Sequence, residues 1–421
     1  MMMLKKFFVM VFVFLLAGCT LKREVPLWKS APSENERKEN APTVAVLLPL
    51  SGESQNVGKS MKNAVLLKTF DNPQTPLKVL FFDTQSTADG AVSAYHWAVA
   101  QKPDIVIGPV FSREVQAIQK AGISSPMLTF TSDTTLMNSK TGTMAVTIAE
   151  QVRSMVRNAC STGKLRLGVL APDSKTGEIA MNALAEEVKT RPGMTLPKVS
   201  VYESNTTNFT KAVQQIVPPL INPKKKDLTE EEKAELARSM AERAKIDAII
   251  LFEEGVKLRQ LLSLLAFYDA GPKDITVYAL TVIKQATDTN ANFVYFADLD
   301  ETGYANFARQ YYATFGEKPI RIASQIYDAM GLVLEEAKAN RPITLDALQT
   351  RDGYWGVDGL IRLNSDGTNR RALQLKQKRG QRSILIEAAS AFDETSSNFD
   401  EASSNQDYWN DVTRSEAELA D

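Results

Sequence analysis

The sequence predicts an α/β fold built on two parallel sheets flanked by helices. Three observations carry that prediction. Short apolar runs alternate with stretches of helical period from Thr43 onward, the alternation occurs twice, and the last segment changes to a period of two. Runs with almost no polar interruption are typical of strands buried on both faces. A strand–helix–strand order makes neighbouring strands parallel.

In the first set the strand-like runs are VAVLLPL, LKVLFFD, DIVIGPV and PMLTFTS. The helical stretch after the first run puts Val57, Met61, Ala64 and Val65 on one face, DGAVSAYHWAVAQ forms the next, and a third begins at Ser112 as a capped start. The second set reads helix 148–159, strand KLRLGVL, helix 177–190, strand KVSVYE, helix 208–217, strand DAIILFE, helix 256–268, and strands ITVYAL and FVYFAD. A helix over 304–315 and a long one carrying Ile322, Ile326, Ala329, Met330, Val333 and Ala337 come next. The stretch GLIRLNSDGTNRRALQLKQKRGQRSILIE then alternates in period two, with turn residues at Ser365–Thr368 and Lys378–Gly380, and reads as antiparallel hairpins.

The ends and one insertion differ from this core. Lys5 and Lys6 precede the apolar run FFVMVFVFLL, too short to span a bilayer and long enough for a signal-peptide core, and the run leads into Leu16-Ala17-Gly18-Cys19. This looks like a lipobox, so residues 1–19 are expected to be a lipoprotein signal peptide with Cys19 the lipidated residue. Acyl chains then attach the protein to a membrane. Thr20, rather than Asp, follows the Cys, which by the rule for such lipoproteins implies the outer membrane. Residues 20–42 are polar and rich in Pro, Ser and Glu, as expected of a flexible tether. The charged insertion at 223–245 has a capping box at Thr229 and Glu232 and a modest apolar stripe through Leu236, Ala237, Met240, Ala241 and Ala244. A solvated helix packed on the second sheet and a partner-binding helix both fit it. After Ala391 nine acids face Arg414 alone, so 391–421 reads as an acidic disordered tail.

The composition narrows the chemistry. With 49 Lys and Arg against 50 Asp and Glu there is no global basic field, hence no nucleic-acid partner. Two cysteines give no disulfide framework, and with Cys19 lipidated Cys160 reads as a small buried hydrophobe. LLPLSGESQNVGKS approaches the phosphate-binding strand–GxxxxGK[ST]–helix motif, but five residues instead of four separate Gly52 from Gly58, and that register is where the motif's specificity lies. Asp83, at the end of VLFFD, mimics the acid that accompanies that motif. The single histidine, His96, lies inside a helix between aromatics, and no GxSxG elbow, CxxC, HExxH or EF-hand spacing occurs. No enzyme, metal site or cofactor is expected.

Taken in order, VAVLLPLSG, VLFFD, DIVIGPVFS, PMLTFTSDTTL, DAIILFEEGVKLRQLLSLLAFYDAG and SQIYDAMGLVLEEA resemble a type I periplasmic-binding-protein domain of the leucine/isoleucine/valine-binding kind, over about 43–390. LLPLSG, IGPVFS, ATFGEKP, IYDAMGLVL and GVDGLIRLNSDGTNRRAL are further similar to the penicillin-binding-protein activator lipoproteins of Gram-negative bacteria. The resemblance implies two lobes, about 43–147 with 298–345 and about 148–297 with 346–390, joined by hinge crossovers around a cleft. It implies carboxylate-binding positions at Ser112, Thr131 and Ser132, with Ser51 in the loop after the first strand. Glu254 and Thr281 match the amino-group side, where the family's aromatic is missing, and Glu150 is a third candidate acid. Ser112, Thr131 and Ser132 are equally readable as helix caps and loop hydroxyls. Two functions follow from the resemblance. One is a non-catalytic outer-membrane lipoprotein, on the periplasmic side of the envelope, that activates or scaffolds peptidoglycan synthases, with penicillin-binding proteins as partners. The other is the solute-binding component of a branched-chain-type amino-acid ABC transporter, with a small amino-acid-like ligand.

Overall fold

The computed structural model describes residues 41–220, 228–280, 289–349 and 352–389. The leader with Cys19, most of the 20–42 tether, Thr281 and the acidic segment after Ala391 lie outside the described residues. Strands β1 (Thr43–Leu48), β2 (Lys78–Asp83), β3 (Ile105–Ile107), β4 (Met127–Thr129) and β5 (Thr141–Thr143) form a parallel sheet in the order β2-β1-β3-β4-β5. Helices α1 (Gln55–Phe70), α2 (Ala88–Ala100) and α3 (Ser112–Ala121) connect its first four strands. In β1 successive side chains point to opposite faces, and both faces are covered. Val44, Val46 and Leu48 pack with Met61, Ala64 and Val65 of α1. Ala45 and Leu47 pack with Ala91, Tyr95 and Ala98 of α2.

The second sheet has seven strands. Between helices α4 (Ile148–Ser161), α5 (Lys175–Thr190), α6 (Thr210–Ile216), α7 (Glu230–Arg243) and α8 (Gly255–Phe267) run β6 (Leu167–Asp173), β7 (Lys198–Glu203), β8 (Ala248–Leu251), β9 (Thr276–Ala279) and β10 (Tyr295–Asp298). All five are parallel. The chain then returns to the first sheet as α9 (Tyr304–Phe315) and α10 (Ala323–Lys338), whose Phe307, Tyr311, Ile326, Met330 and Val333 complete the core over α1. The remaining strands are β11 (Tyr354–Gly356), β12 (Gly359–Leu363), β13 (Asn369–Arg371), β14 (Gln374–Arg379) and β15 (Arg382–Glu387). The first three make a small antiparallel sheet that lays Ile361 and Leu363 on the first core. The last two add antiparallel strands to the second sheet, giving the order β15-β14-β10-β9-β8-β6-β7. The segment after 346 is therefore shared between the two cores.

Three crossovers connect the sheets, at 144–147, 299–303 and 372–373, and they are tied to one another. Val146, Leu299 and Leu373, one from each, pack with Ala297 as a small core of their own. Asn369 donates from Nδ2 to the carbonyls of Thr143 (2.7 Å) and Ala145 (2.9 Å), and Arg371 donates from its guanidinium to the carbonyl of Met144 at 2.6 Å. Gln374 donates to Asp300 at 2.8 Å.

Three local expectations change. Ser112 is the first residue of α3 and not its cap, since the Phe111 N–H is taken by Glu114 (3.3 Å). Cys160 is half-buried, its Sγ 3.8 Å from the Pro192 carbonyl. The capping box of α7 is present, but no residue of that helix is buried and Met240 is exposed. Polar contacts hold α7 in place instead, from Arg243 to the Pro218 carbonyl (2.8 Å) and from Lys198 to Glu242 (3.7 Å).

Candidate functional site: the cleft between the two sheets

The crossover at 144–147 passes directly from the carboxyl end of β5 to the start of α4, and the one at 299–303 from the carboxyl end of β10 to α9. The carboxyl edges of both parallel sheets therefore face the junction between them, the position where open α/β sheets bind ligands. The loops of the cleft are those following β1 to β4 on one side and β6 to β9 on the other.

On the first side, the loop after β1 wraps a carboxylate of this chain. Asp83, the last residue of β2, accepts N–H groups from Leu50 (2.9 Å), Ser51 (3.1 Å) and Gln85 (2.8 Å), and the Ser51 hydroxyl at 2.6 Å. Burial acts upward on the Asp83 carboxyl. The Ser51 hydroxyl and the three N–H groups outweigh it and hold the carboxyl below its ordinary range. Gly52, at φ +79°, is needed where the loop meets Gln85, since a Cβ there would stand 2.6 Å from the Gln85 carbonyl. The apparent phosphate motif has a structural explanation. Gly58 lies inside α1 against Pro49, and Lys59 pairs with Glu317 at 3.0 Å. Asp83→Ala is expected to leave the loop without its acceptor, so that the Leu50, Ser51 and Gln85 amides exchange hydrogen about tenfold faster or more. Unchanged exchange at all three would contradict the assignment.

The loops after β3 and β4 meet through two hydroxyls. Ser112 Oγ and Thr131 Oγ1 are 2.6 Å apart, and Thr131 Oγ1 also accepts the Asp133 N–H at 3.1 Å. Thr131 is buried while Ser112 and Ser132 are exposed. Arg113, next in the chain, donates to the Ser86 carbonyl at 2.8 Å. Beneath it Glu114 is buried, its carboxylate accepting the Thr84 hydroxyl at 3.0 Å, and burial pushes its pKa up.

On the second side, Glu254 is exposed just before α8 and makes no cap bond. Its neighbour Glu253 is buried and accepts the Tyr202 hydroxyl at 3.1 Å, and Tyr202 stacks edge-on against Phe209. Burial, then the Glu253 carboxylate, push the Tyr202 phenol up. An aromatic hydroxyl thus stands at this rim beside an acid. The sequence pointed to Glu254 on this side; Tyr202, near the end of KVSVYE, was not singled out. Glu150 is buried among cations. It pairs with Arg153 and with Arg370 (3.2 Å) and accepts the Arg371 N–H at 3.1 Å, so it serves the crossover and not the cleft. The cleft thus brings Ser112 and Thr131 together and places Ser132 and Glu254 at its rims. Ser51 is turned to Asp83.

Residues 42–218 match the family model of the periplasmic binding proteins. No curated protein sequence matches the chain. Among solved structures, a putative branched-chain amino acid ABC transporter protein from Rhodospirillum rubrum is 19% identical, with a TM-score of 0.63 over 82% of this chain and 100% of its own. A branched-chain amino acid ABC transporter periplasmic ligand-binding protein from Burkholderia xenovorans LB400 is 16% identical, with a TM-score of 0.61 over 85% of this chain and 97% of its own. The C-domain of LpoA (YraM) from Haemophilus influenzae, a regulator of PBP1A, is 16% identical, with a TM-score of 0.57 over 82% of this chain and 99% of its own. At such identities the likeness is one of fold.

Proposed function

We propose that this chain, which has the type I periplasmic-binding-protein fold and matches that family's model over residues 42–218, acts as a non-catalytic envelope lipoprotein that activates or scaffolds peptidoglycan synthases. In this reading it is anchored through Cys19 to the outer membrane and faces the periplasm. One observation carries the reading: the loop amides of Leu50 and Ser51, at the mouth of the cleft, are occupied by the carboxylate of Asp83. The crossovers add support. Lobe closure around a solute works by torsional change in such segments, and here the carbonyls of Thr143, Met144 and Ala145 are held by side chains of β13. The likeness to a regulator of PBP1A points the same way. The full chain, produced in a Gram-negative envelope and captured under mild detergent, is expected to enrich a peptidoglycan synthase over an unrelated lipoprotein of similar abundance. Recovery of no synthase would overturn the reading.

A second reading, the solute-binding component of a branched-chain-type amino-acid transporter, is favoured by the Ser112–Thr131 pair with the Tyr202–Glu253 pair on the opposite rim. Hydroxyls on one side suit a carboxylate and an acid on the other suits an ammonium group. Calorimetry with the free amino acids decides it. Micromolar binding that weakens at least about tenfold in Ser112→Ala would establish this reading in place of the first.

A further inference from the structure

The second sheet ends in an edge unlike the other edges of the molecule. β15 pairs with β14 on one side and with no strand on the other among the described residues. Its middle is Ile384, Leu385 and Ile386, exposed by 42%, 54% and 40%. An edge strand normally discourages pairing by being short, by carrying charge at its centre, or by being covered. Edge β2 is six residues long with an apolar middle, KVLFFD, but from Val79 on its side chains are half-buried and Lys62 lies over Phe81. β5 is three residues long and fully buried. β7 shows one exposed apolar side chain, Val201, between Lys198 and Glu203, and Lys198 is bridged to α7. In β15 the only irregularity is a bulge beyond Leu385, which leaves Arg382 to Leu385 regularly paired with β14.

The charges of this strand say what fits it. Arg382 begins it, beside Arg379 across the turn, and Glu387 ends it. Glu387 is fixed there by Arg157 at 2.9 Å and Asn158 at 3.1 Å, yet its side chain is still 29% exposed. A second β15 laid parallel would set cation on cation and acid on acid. Laid antiparallel, it opposes each arginine end to a glutamate end and stacks the apolar middles. Such a contact is isologous and closes at two copies, because it consumes the edge that, among the described residues, carries three exposed large apolar side chains.

We propose that β15 is the surface through which two copies of this chain associate, edge to edge and antiparallel, joining their seven-stranded sheets across a two-fold axis. The proposal is independent of what the cleft binds. The test uses the full chain in a Gram-negative envelope, with Cys160→Ser as background. Single cysteines are introduced by Ser383→Cys, Ile384→Cys and Leu385→Cys and oxidised mildly. At least one of them is expected to give a covalent dimer about tenfold more abundant than Trp97→Cys, a more open position on α2, since a residue next to the axis meets its own copy. Adding Arg382→Glu to the best cross-linker is expected to lower the dimer about fivefold or more by opposing like charges, and adding Glu387→Gln to that variant to restore part of it. Thermal melting of each variant establishes that it is folded. Dimer no more abundant than for Trp97→Cys overturns the proposal. So does a yield indifferent to Arg382→Glu, or a monomer whose own C-terminal segment protects 382–387 from hydrogen exchange.

Discussion

Arg371→Met is expected to lower the free energy of unfolding by about 3–5 kcal/mol, the cost of removing one member of a buried ionic group. Arg371 is 3% exposed. Its backbone N–H goes to Glu150 and its guanidinium to the Met144 carbonyl, while Asp328 and Asp358 stand near enough to act on its charge. Burial pushes the guanidinium pKa down, and the two carboxylates oppose that shift. Asp358 is itself tied to Arg321 at 2.7 Å and Ser324 at 2.7 Å. Taking away Arg371 leaves the interior with carboxylates short of one compensating cation and leaves the first crossover without a clamp. Urea unfolding followed by circular dichroism measures the loss. A change below about 1 kcal/mol, the scale of an ordinary surface substitution, would show that the cluster does not hold the crossover.

The second large effect is a dependence of stability on pH. Asp328 lies in α10, fully buried, and accepts N–H groups from Val357 (2.8 Å) and Asp358 (3.2 Å). Burial, then the like charge of Asp358, push it up to about 7, although those N–H groups and Arg371 act downward. In the unfolded chain an aspartate titrates near 4. Between about pH 4 and pH 7 the folded state therefore holds a proton that the unfolded state has released, and stability falls as pH rises through that window. The displacement corresponds to about 4 kcal/mol at most. Asp83 and Asp247, both held below their ordinary range, add stability that is lost only on acidification below about pH 4, so the windows do not overlap. Urea midpoints are expected to fall from pH 5 to pH 7 and to level off towards pH 8 in the natural chain, and to lose that fall in Asp328→Asn. An equal slope in both would remove Asp328 from the account.

How far the sequence could be read depended on whether burial was written in apolar residues. VAVLLPL and DAIILFE announce themselves because strands covered on both faces have no polar side to show, and they lie where expected as β1 and β8. β5 was missed because it reads TGT. It is buried all the same, since Thr143 donates to the Thr131 carbonyl at 2.7 Å and the Gly142 carbonyl accepts the Thr129 hydroxyl at 2.9 Å. The site followed the same division. That Ser112 and Thr131 stand near the carboxyl ends of strands was legible from strand order, and their 2.6 Å contact follows from it. That Asp83 turns back into the loop of Ser51, or that Glu253 and not Glu254 meets Tyr202, depends on contacts made across 32 and 51 residues of chain. Asn369 and Arg371, the clamps of the first crossover, read only as part of a hairpin because their partners lie more than 220 residues earlier.

The carboxylate of Asp83 acts as an anion that never leaves. Being tethered to the adjacent strand, it competes for the Leu50 and Ser51 amides at an effective concentration of order millimolar or more, whatever the surroundings contain. A dissolved anion at micromolar concentration would lose that competition almost completely. Under the second reading, Ser112 and Thr131 would then be the hydroxyls of this side left to meet an acidic solute. A change at position 83 would alter which solutes the cleft can hold without touching either of them.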